Sequence, residues 1–266
     1  MVRQPAVAGR FYTGDPVRLR EELSAMVPQG EAQKAIGIIA PHAGYVYSGK
    51  VAGKVYSTVR VPDTVLILGP NHTGAGVAAA LAPEAQWLTP LGPAPVNRRL
   101  SQVILEHVPL VREDAAAHRF EHSLEVQVPF LQYRNPCVSI AAICLALPDF
   151  ASISEIGEGI ARAITAYGEE VLIVASSDMT HYESAAAAKV KDDQALARLT
   201  ELNPEGLLRV CREKDITMCG VIPATALLVA AKMLGATSCR LVDYATSGEV
   251  NGDLASVVAY AALAVS

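Results

Sequence analysis

The stretch VLIVASSDMTH, residues 171–181, shows the pattern that sets the expected fold. It opens with a short run rich in Val, Leu and Ile, and such near-continuous apolar runs are typical of strands covered on both faces. It ends in polar side chains, Asp178 and His181, that are able to ligate a metal ion or transfer a proton. Several runs of this kind, separated by helical patterns, predict a sheet with helices on both sides.

The same alternation continues along the rest of the chain. Further strand-like runs lie at 36–41, 65–70, 139–147 and 239–244, with a last candidate at 255–265. Helical spacing is present at 16–26, 153–167, 186–200, 204–213 and 223–234. The pattern predicts one α/β domain over residues 1–266, with a central, mostly parallel or mixed sheet flanked by helices. The proline-rich stretch 83–95 is interpreted as a surface loop because it is short.

Composition limits the classes of function. Hydrophobic residues make up 51% of the chain and charged residues 18%, which is enough apolar material for a large core. The net charge of −5 provides no basic surface for nucleic acid. No apolar run reaches the length of a membrane span, and residues 1–12 lack the apolar segment of a signal peptide. The five cysteines form no CxxC pair, which is typical of a reducing compartment. We therefore expect a cytoplasmic protein without nucleic-acid or membrane partners.

Polar side chains follow three of the strand-like runs at the point where each run ends. The stretch IIAPHAGY (38–45) carries His42, LILGPNH (66–72) carries His72, and 171–181 carries Asp178 and His181. In open α/β sheets, ligands bind outside the carboxyl ends of the strands. A hydrogen-bonded turn residue is the alternative for any one of these histidines, but their recurrence after three runs favours one polar pocket suited to a metal ion.

Two other stretches contain candidate residues. In AHRFEHSLE (117–125), Glu121 and Glu125 share a face if the stretch is helical, and the alternative is a helix start with acidic residues near its positive end. Pro129 is expected to break or restart that helix. In TMCGVIP (217–223), Cys219 precedes a turn into a helix, where a thiolate is favoured. For a single cysteine, the alternative is a small buried apolar residue.

Taken together, the motifs resemble the Memo-like family (mediator of cell motility), most closely its bacterial and archaeal members. The resemblance is carried by AGRFY (8–12), APHAGY (40–45), GPNH (69–72), EHSLE (121–125), SSDMTH (176–181), Cys219-Gly220 and DYATS (243–247). These motifs span nearly the whole chain. The resemblance implies a fold like that of class III extradiol dioxygenases, which are non-haem Fe(II) enzymes that cleave catechol rings.

The resemblance also implies a ligand set. In Memo-like proteins two histidines and a cysteine hold the metal, and these match His42, His72 and Cys219. Asp178 and His181 match further pocket residues. The dioxygenases use a carboxylate where this family has the cysteine, which is a departure from the ring-cleaving pattern. Two imidazoles and a thiolate suit a divalent ion, Fe(II) first, with Zn(II) or copper as alternatives.

Three protein ligands would leave coordination positions open, as catalytic metal sites require. His181 is then a candidate general acid or base, and His122 is a second one. Asp178 is expected to orient a neighbouring imidazole, and Glu121 and Glu125 are candidates for the same task. Alternatively, Asp178 or His181 is the fourth ligand of a closed zinc site.

These residues support two hypotheses on function. The first is a metal-dependent, Fe(II)-linked oxidoreductase, dioxygenase-like, acting on a small molecule. The second is a non-catalytic module that binds a metal or a peptide in the same pocket, because animal members of the family are associated with phosphopeptide binding. A metal-free hydrolase is disfavoured by the lack of a GxSxG motif. The resemblance further implies a functional link to radical-SAM and AMMECR-type proteins.

Overall fold

Strands and helices alternate along the residues that the structure, a computed structural model, describes: 1–147 and 149–266. The strands are β1 (Val2–Arg3), β2 (Gly37–Ala40), β3 (Thr64–Pro70), β4 (Ala79–Leu81), β5 (Gln86–Thr89), β6 (Gly92–Pro95), β7 (Arg112–Glu113), β8 (Ser139–Leu145), β9 (Leu172–Ser176), β10 (His181–Glu183), β11 (Cys239–Thr246) and β12 (Val257–Val265). The helices are α1 (Pro16–Met26), α2 (Tyr45–Thr58), α3 (Arg98–His107), α4 (Ala115–His118), α5 (Val128–Arg134), α6 (Phe150–Tyr167), α7 (Ala185–Thr200), α8 (Pro204–Glu213), α9 (Val221–Met233) and α10 (Gly248–Asn251). Each strand and helix predicted from the sequence is present, with its ends shifted by a few residues at most.

The main sheet is mixed. Its strand order is β10-β12-β2-β9-β3-β8-β4-β7, and β11 pairs with β12 beside this path. Strands β2, β9, β3 and β8 run parallel, whereas β12 and β4 join them in antiparallel pairs. The three central strands β2, β9 and β3 are buried along their whole length. The predicted α/β class, a mixed sheet flanked by helices, is therefore confirmed.

Helices cover both faces of this sheet. On β3, Leu66 and Leu68 pack into a core built with residues of α3, α6, α8 and α9. Their neighbours Val65 and Ile67 point the other way, into a core built with residues of α1, α2 and α5. Because successive side chains of a strand alternate between faces, one apolar run supplies both cores. Among the described helices, none has the length and apolar character needed to cross a membrane.

Two segments differ from the sequence-based expectation. The stretch 83–95 contains strands β5 and β6, which form a second sheet with β1. Its prolines suggested a loop, but proline is tolerated on an edge strand such as β6. The stretch 118–130 is not one helix, since α4 ends at His118 and a 3₁₀ turn (Glu125–Gln127) precedes α5. Pro129 lies in the first turn of α5, so it restarts the helix rather than breaking it.

Candidate metal centre

Three histidines meet at the carboxyl edge of the central strands. His42 follows β2, His72 follows β3, and His122 lies in the loop after α4. One ring nitrogen from each lies within 4.8 Å of the other two. His42 is buried, His122 is half-buried and His72 is more exposed. These three side chains form a group that is able to bind a divalent metal ion. The sequence had suggested His122 only as an acid or base.

A hydrogen-bond network sets the tautomer of His42. The Ser176 hydroxyl donates its single hydrogen to the Ser123 carbonyl oxygen, at 2.6 Å, and accepts a bond from Gln127 Nε2, at 2.8 Å. That amide nitrogen also donates to the Pro41 carbonyl oxygen, at 3.0 Å, which fixes the orientation of the amide group. In the remaining contact, 2.9 Å from Ser176 Oγ to His42 Nδ1, the imidazole must therefore donate. The lone pair of His42 therefore lies on Nε2, the atom that would ligate a metal ion.

A carboxylate holds His72 in a similar way. His72 Nδ1 lies 2.9 Å from Glu121 Oε1, and the His72 backbone N–H donates to Oε2 at 2.6 Å. Burial by itself would raise the pKa of Glu121, but the bonds from His72 and from the Ser123 backbone N–H lower it to about 2. The ionised Glu121 can only accept, so His72 donates from Nδ1 and presents Nε2. His122 Nδ1 lies 3.4 Å from the same Oε1. Glu121 thus occupies the orienting position considered from the sequence.

The charge state of the imidazoles suits a cation. Burial lowers the pKa of His42 well below its usual range, and the neighbouring imidazoles of His122, His72 and His181 lower it further. Burial also lowers the pKa of His122 and of His181. Neutral imidazole is the form that ligates a metal, so these residues need not lose a proton on binding. The nitrogen donors and their orientation fit a divalent ion.

Cys219 lies against His42 at the start of α9. Its Sγ is 3.1 Å from His42 Nε2 and accepts a bond from the Asp178 backbone N–H, at 3.3 Å. The next residue, Gly220, packs on the end of β9, where an added Cβ would lie 2.2 Å from the Ser176 carbonyl oxygen. Glycine is therefore required for α9 to approach the sheet closely enough to bring the sulfur to the histidine.

The thiolate expected from the helix terminus is contradicted for the metal-free protein. Burial raises the pKa of the Cys219 thiol, and the Asp178 carboxyl raises it further. The backbone N–H groups of Asp178 and Gly220 lower it, but by less. Removal of the sulfur from water outweighs the favourable helix end, because solvation loss penalises the charged form.

This reversal leads to a test with thiol reagents. In metal-free protein at pH 7–8, we expect iodoacetamide to alkylate Cys219 more slowly than the exposed Cys137, because little thiolate forms at a raised pKa. Peptide mapping by mass spectrometry measures both rates in one sample. A faster rate at Cys219 would show that the helix terminus lowers the pKa of the thiol by more than burial raises it.

Asp178 and His181 lie at the same carboxyl edge of the central strands. Asp178 Oδ1 accepts from the His42 backbone N–H at 2.7 Å, so it positions His42 through the main chain, whereas Ser176 sets the tautomer. Burial raises the pKa of Asp178 to about 7, although backbone N–H bonds from His42 and Ala43 oppose the rise. His181 Nδ1 lies 3.0 Å from the Thr217 carbonyl oxygen, to which it must donate, leaving Nε2 able to accept a proton.

One cavity of about 820 Å³ joins these groups. It is lined by all six residues predicted from the sequence: His42, His72, His122, Asp178, His181 and Cys219. Glu125 has another task, since it accepts from Arg3 Nη1 at 2.7 Å and from Tyr12 Oη at 2.8 Å. Tyr45 Oη donates to the Val126 carbonyl oxygen at 2.6 Å.

Comparisons with known proteins agree on one family. A family model described as Memo-like protein matches residues 3–264. A MEMO1 family protein of Methanosarcina barkeri is 41% identical over 99% of this chain and 100% of its own length. A second one, from Methanothermobacter thermautotrophicus, is 38% identical over 99% of this chain and 100% of its own length. The crystal structure of an uncharacterized protein of Escherichia coli K12 aligns with a TM-score of 0.55 at 14% identity, covering 86% of this chain and 99% of that one. The last likeness concerns the fold alone.

Proposed function

The chain belongs to the Memo-like family, and on that premise we propose that it is a metal-dependent, Fe(II)-linked oxidoreductase acting on a small molecule. The observation that carries the proposal is the convergence of His42, His72 and His122 on one cavity. The network around His42 and the carboxylate beside His72 place the lone pair of both rings on Nε2. The cavity volume of about 820 Å³ lies in the range typical of small-molecule sites.

We further propose that Cys219 joins His42 and His72 as the third ligand. The Cys219 sulfur lies 3.1 Å from His42 Nε2, so both atoms would be within reach of one ion. Burial raises the pKa of the thiol, and a cation held there would favour the thiolate. His122 lies beside this set, next to the Glu121 carboxylate, and serves as an acid or base.

A divalent iron bound here would supply Lewis acidity and access to redox chemistry. The other tasks fall to the protein side chains. His181 accepts a proton at Nε2, because its Nδ1 donates to the Thr217 carbonyl oxygen and burial keeps the ring neutral. Asp178, with a pKa of about 7, is able to hold or release a proton near neutral pH.

The proposal is tested with protein purified and loaded with Fe(II) without oxygen. Nitric oxide should bind the iron at an open position and produce a paramagnetic resonance signal. His181→Gln should keep both the iron content and this signal, yet lose dioxygen consumption on a panel of small reduced molecules, because its task is proton transfer. His107→Gln, on α3 and outside the cavity lining, is the matched control and should behave as wild type.

Iron-loaded protein that does not bind nitric oxide would contradict an open catalytic site. The second hypothesis, a non-catalytic module that binds a metal or a peptide, would then account better for the pocket. Loss of iron in His181→Gln would instead place His181 among the ligands.

A further inference from the structure

A second cavity, of about 910 Å³, is lined by the N-terminal segment and the region around α4. Its wall includes residues 1–6, Ala115 and Ala116 of α4, and the exposed ring of Phe120. Among the described residues, none lines both this second cavity and the cavity of the metal centre. Its volume lies in the range of small-molecule sites, so it is large enough to take a ligand of its own.

A buried carboxyl group without a hydrogen-bond donor belongs to this wall. Glu84, in the loop between β4 and β5, is the one acidic residue of the described lining and is only 5% exposed. Its Oε2 is buried, and no described group donates a hydrogen bond to it. Burial of a polar group without a partner costs free energy, so an unsatisfied group in a folded protein calls for an explanation. Since Glu84 lines the cavity, a donor on a molecule bound there can supply the partner.

Neither arginine of the lining pairs with Glu84. Arg3 Nη1 forms its ion pair with Glu125, and the other two nitrogens of Arg3 donate to main-chain carbonyl oxygens. Arg119 is exposed, and its guanidinium carbon lies 5.1 Å from the centroid of the Phe120 ring. Solvent screens the charge of an exposed side chain, whereas a buried charge is screened much less. The buried part of the wall therefore presents a negative charge.

We propose that the second cavity binds a small organic cation, an ammonium or guanidinium group on a short apolar chain, which donates to Glu84. Such a hydrogen bond joins two ions and is among the stronger ones in proteins. The apolar chain would lie against Ala75, Ala115 and Phe120, which belong to the same wall. A metal ion fits less well, because Ca²⁺ and Mg²⁺ take six or more oxygen ligands and Glu84 is the sole carboxylate of the described lining. The proposal does not depend on the metal centre.

The charge preference is measured with three four-carbon probes: n-butylamine, 1-butanol and butanoate. Each is titrated at pH 7 into ¹⁵N-labelled protein, and the backbone amide resonances are followed by NMR. We expect n-butylamine to shift the amides of Ala75, Ala115 and Phe120 and to bind about tenfold tighter than 1-butanol, because the ammonium also neutralises the carboxylate. Butanoate should bind weakest, since Glu84 repels it. The proposal is overturned if these three amides do not shift, or if n-butylamine binds no tighter than 1-butanol.

Variants assign the preference to Glu84. Glu84→Gln keeps the length of the side chain and removes its charge, so n-butylamine and 1-butanol should bind within about twofold of each other. The matched control, Glu106→Gln, changes an exposed glutamate of α3 outside the lining and should keep the tenfold preference. Ala116→Leu fills part of the cavity from an exposed position, and all three probes should weaken at least about threefold. A full preference in Glu84→Gln, or unchanged affinities in Ala116→Leu should the first variant not fold, would overturn the site.

Discussion

Replacement of His42 or of His72 by alanine is expected to abolish tight binding of one divalent metal ion per chain. Each ring presents an Nε2 lone pair whose direction is set by a partner on Nδ1, Ser176 for one and Glu121 for the other. Alanine removes the ligating nitrogen itself. Metal content after gel filtration, together with calorimetric titration of Zn(II), measures the loss.

Ser176→Ala is the informative comparison for this prediction. It keeps the His42 imidazole but removes the hydroxyl that accepts from its Nδ1. The affinity for metal should therefore fall only about 10–100-fold, as is typical when a residue that hydrogen-bonds a metal ligand is lost. His107→Ala, whose ring bonds to its own helix, should bind metal like wild type. Full metal content in either the His42 or the His72 variant would remove that residue from the ligand set. A complete loss of metal binding in Ser176→Ala would mean that the hydroxyl does more than set the tautomer of His42.

Arg3→Ala is expected to destabilise the fold by about 3–5 kcal/mol, the usual cost of removing one partner from a buried ion pair. Arg3 is 4% exposed, and its Nη1 lies 2.7 Å from Glu125 Oε2. Its other nitrogens donate to the carbonyl oxygens of His118 and Glu121, at 2.8 and 2.7 Å. The substitution leaves a buried carboxylate and two carbonyl groups short of a donor. Urea denaturation followed by circular dichroism measures the change in the free energy of unfolding.

The matched control is Arg18→Ala. Arg18 pairs with Glu22 one turn further along α1, but its side chain is 72% exposed, so the loss should be at most about 1 kcal/mol. Because Arg3 also holds the backbone of Glu121, its loss should weaken Zn(II) binding as well, whereas Arg18→Ala should not. Equal stability of the two variants would show that the Arg3–Glu125 pair contributes no more than a surface pair does.

Some elements were missed because their local signal is weak. Helix α2 contains Gly49 and Gly53, which lower its helix propensity, yet the close packing on α1 requires glycine at position 53. A Cβ at Gly53 would lie 2.0 Å from the Met26 carbonyl oxygen, so only glycine permits this approach. Strands β5 and β6 were missed because the prolines of β6 suggested a loop. In both places a contact between distant segments outweighs the local preference of the chain.

The strands and the residues that follow them could be predicted from local sequence. Runs of Val, Leu and Ile define β2, β3 and β9 locally, and the residues after each run must emerge at the carboxyl edge. For that reason His42, His72, Asp178 and His181 line one cavity, and the start of α9 brings Cys219 there too.

The interactions among these groups depend on the packing of distant segments. That packing brought His122 to within 4.8 Å of the other two histidines, assigned Glu121 to His72, and assigned Glu125 to Arg3. It placed Ser176 against His42, 134 positions away along the chain, and so set the tautomer. It also removed the Cys219 sulfur from much of the solvent, so the pKa of the thiol is raised and not lowered. Periodicity reports on neighbours within a few residues, whereas hydrogen bonding and desolvation depend on which distant segments the packed core brings together.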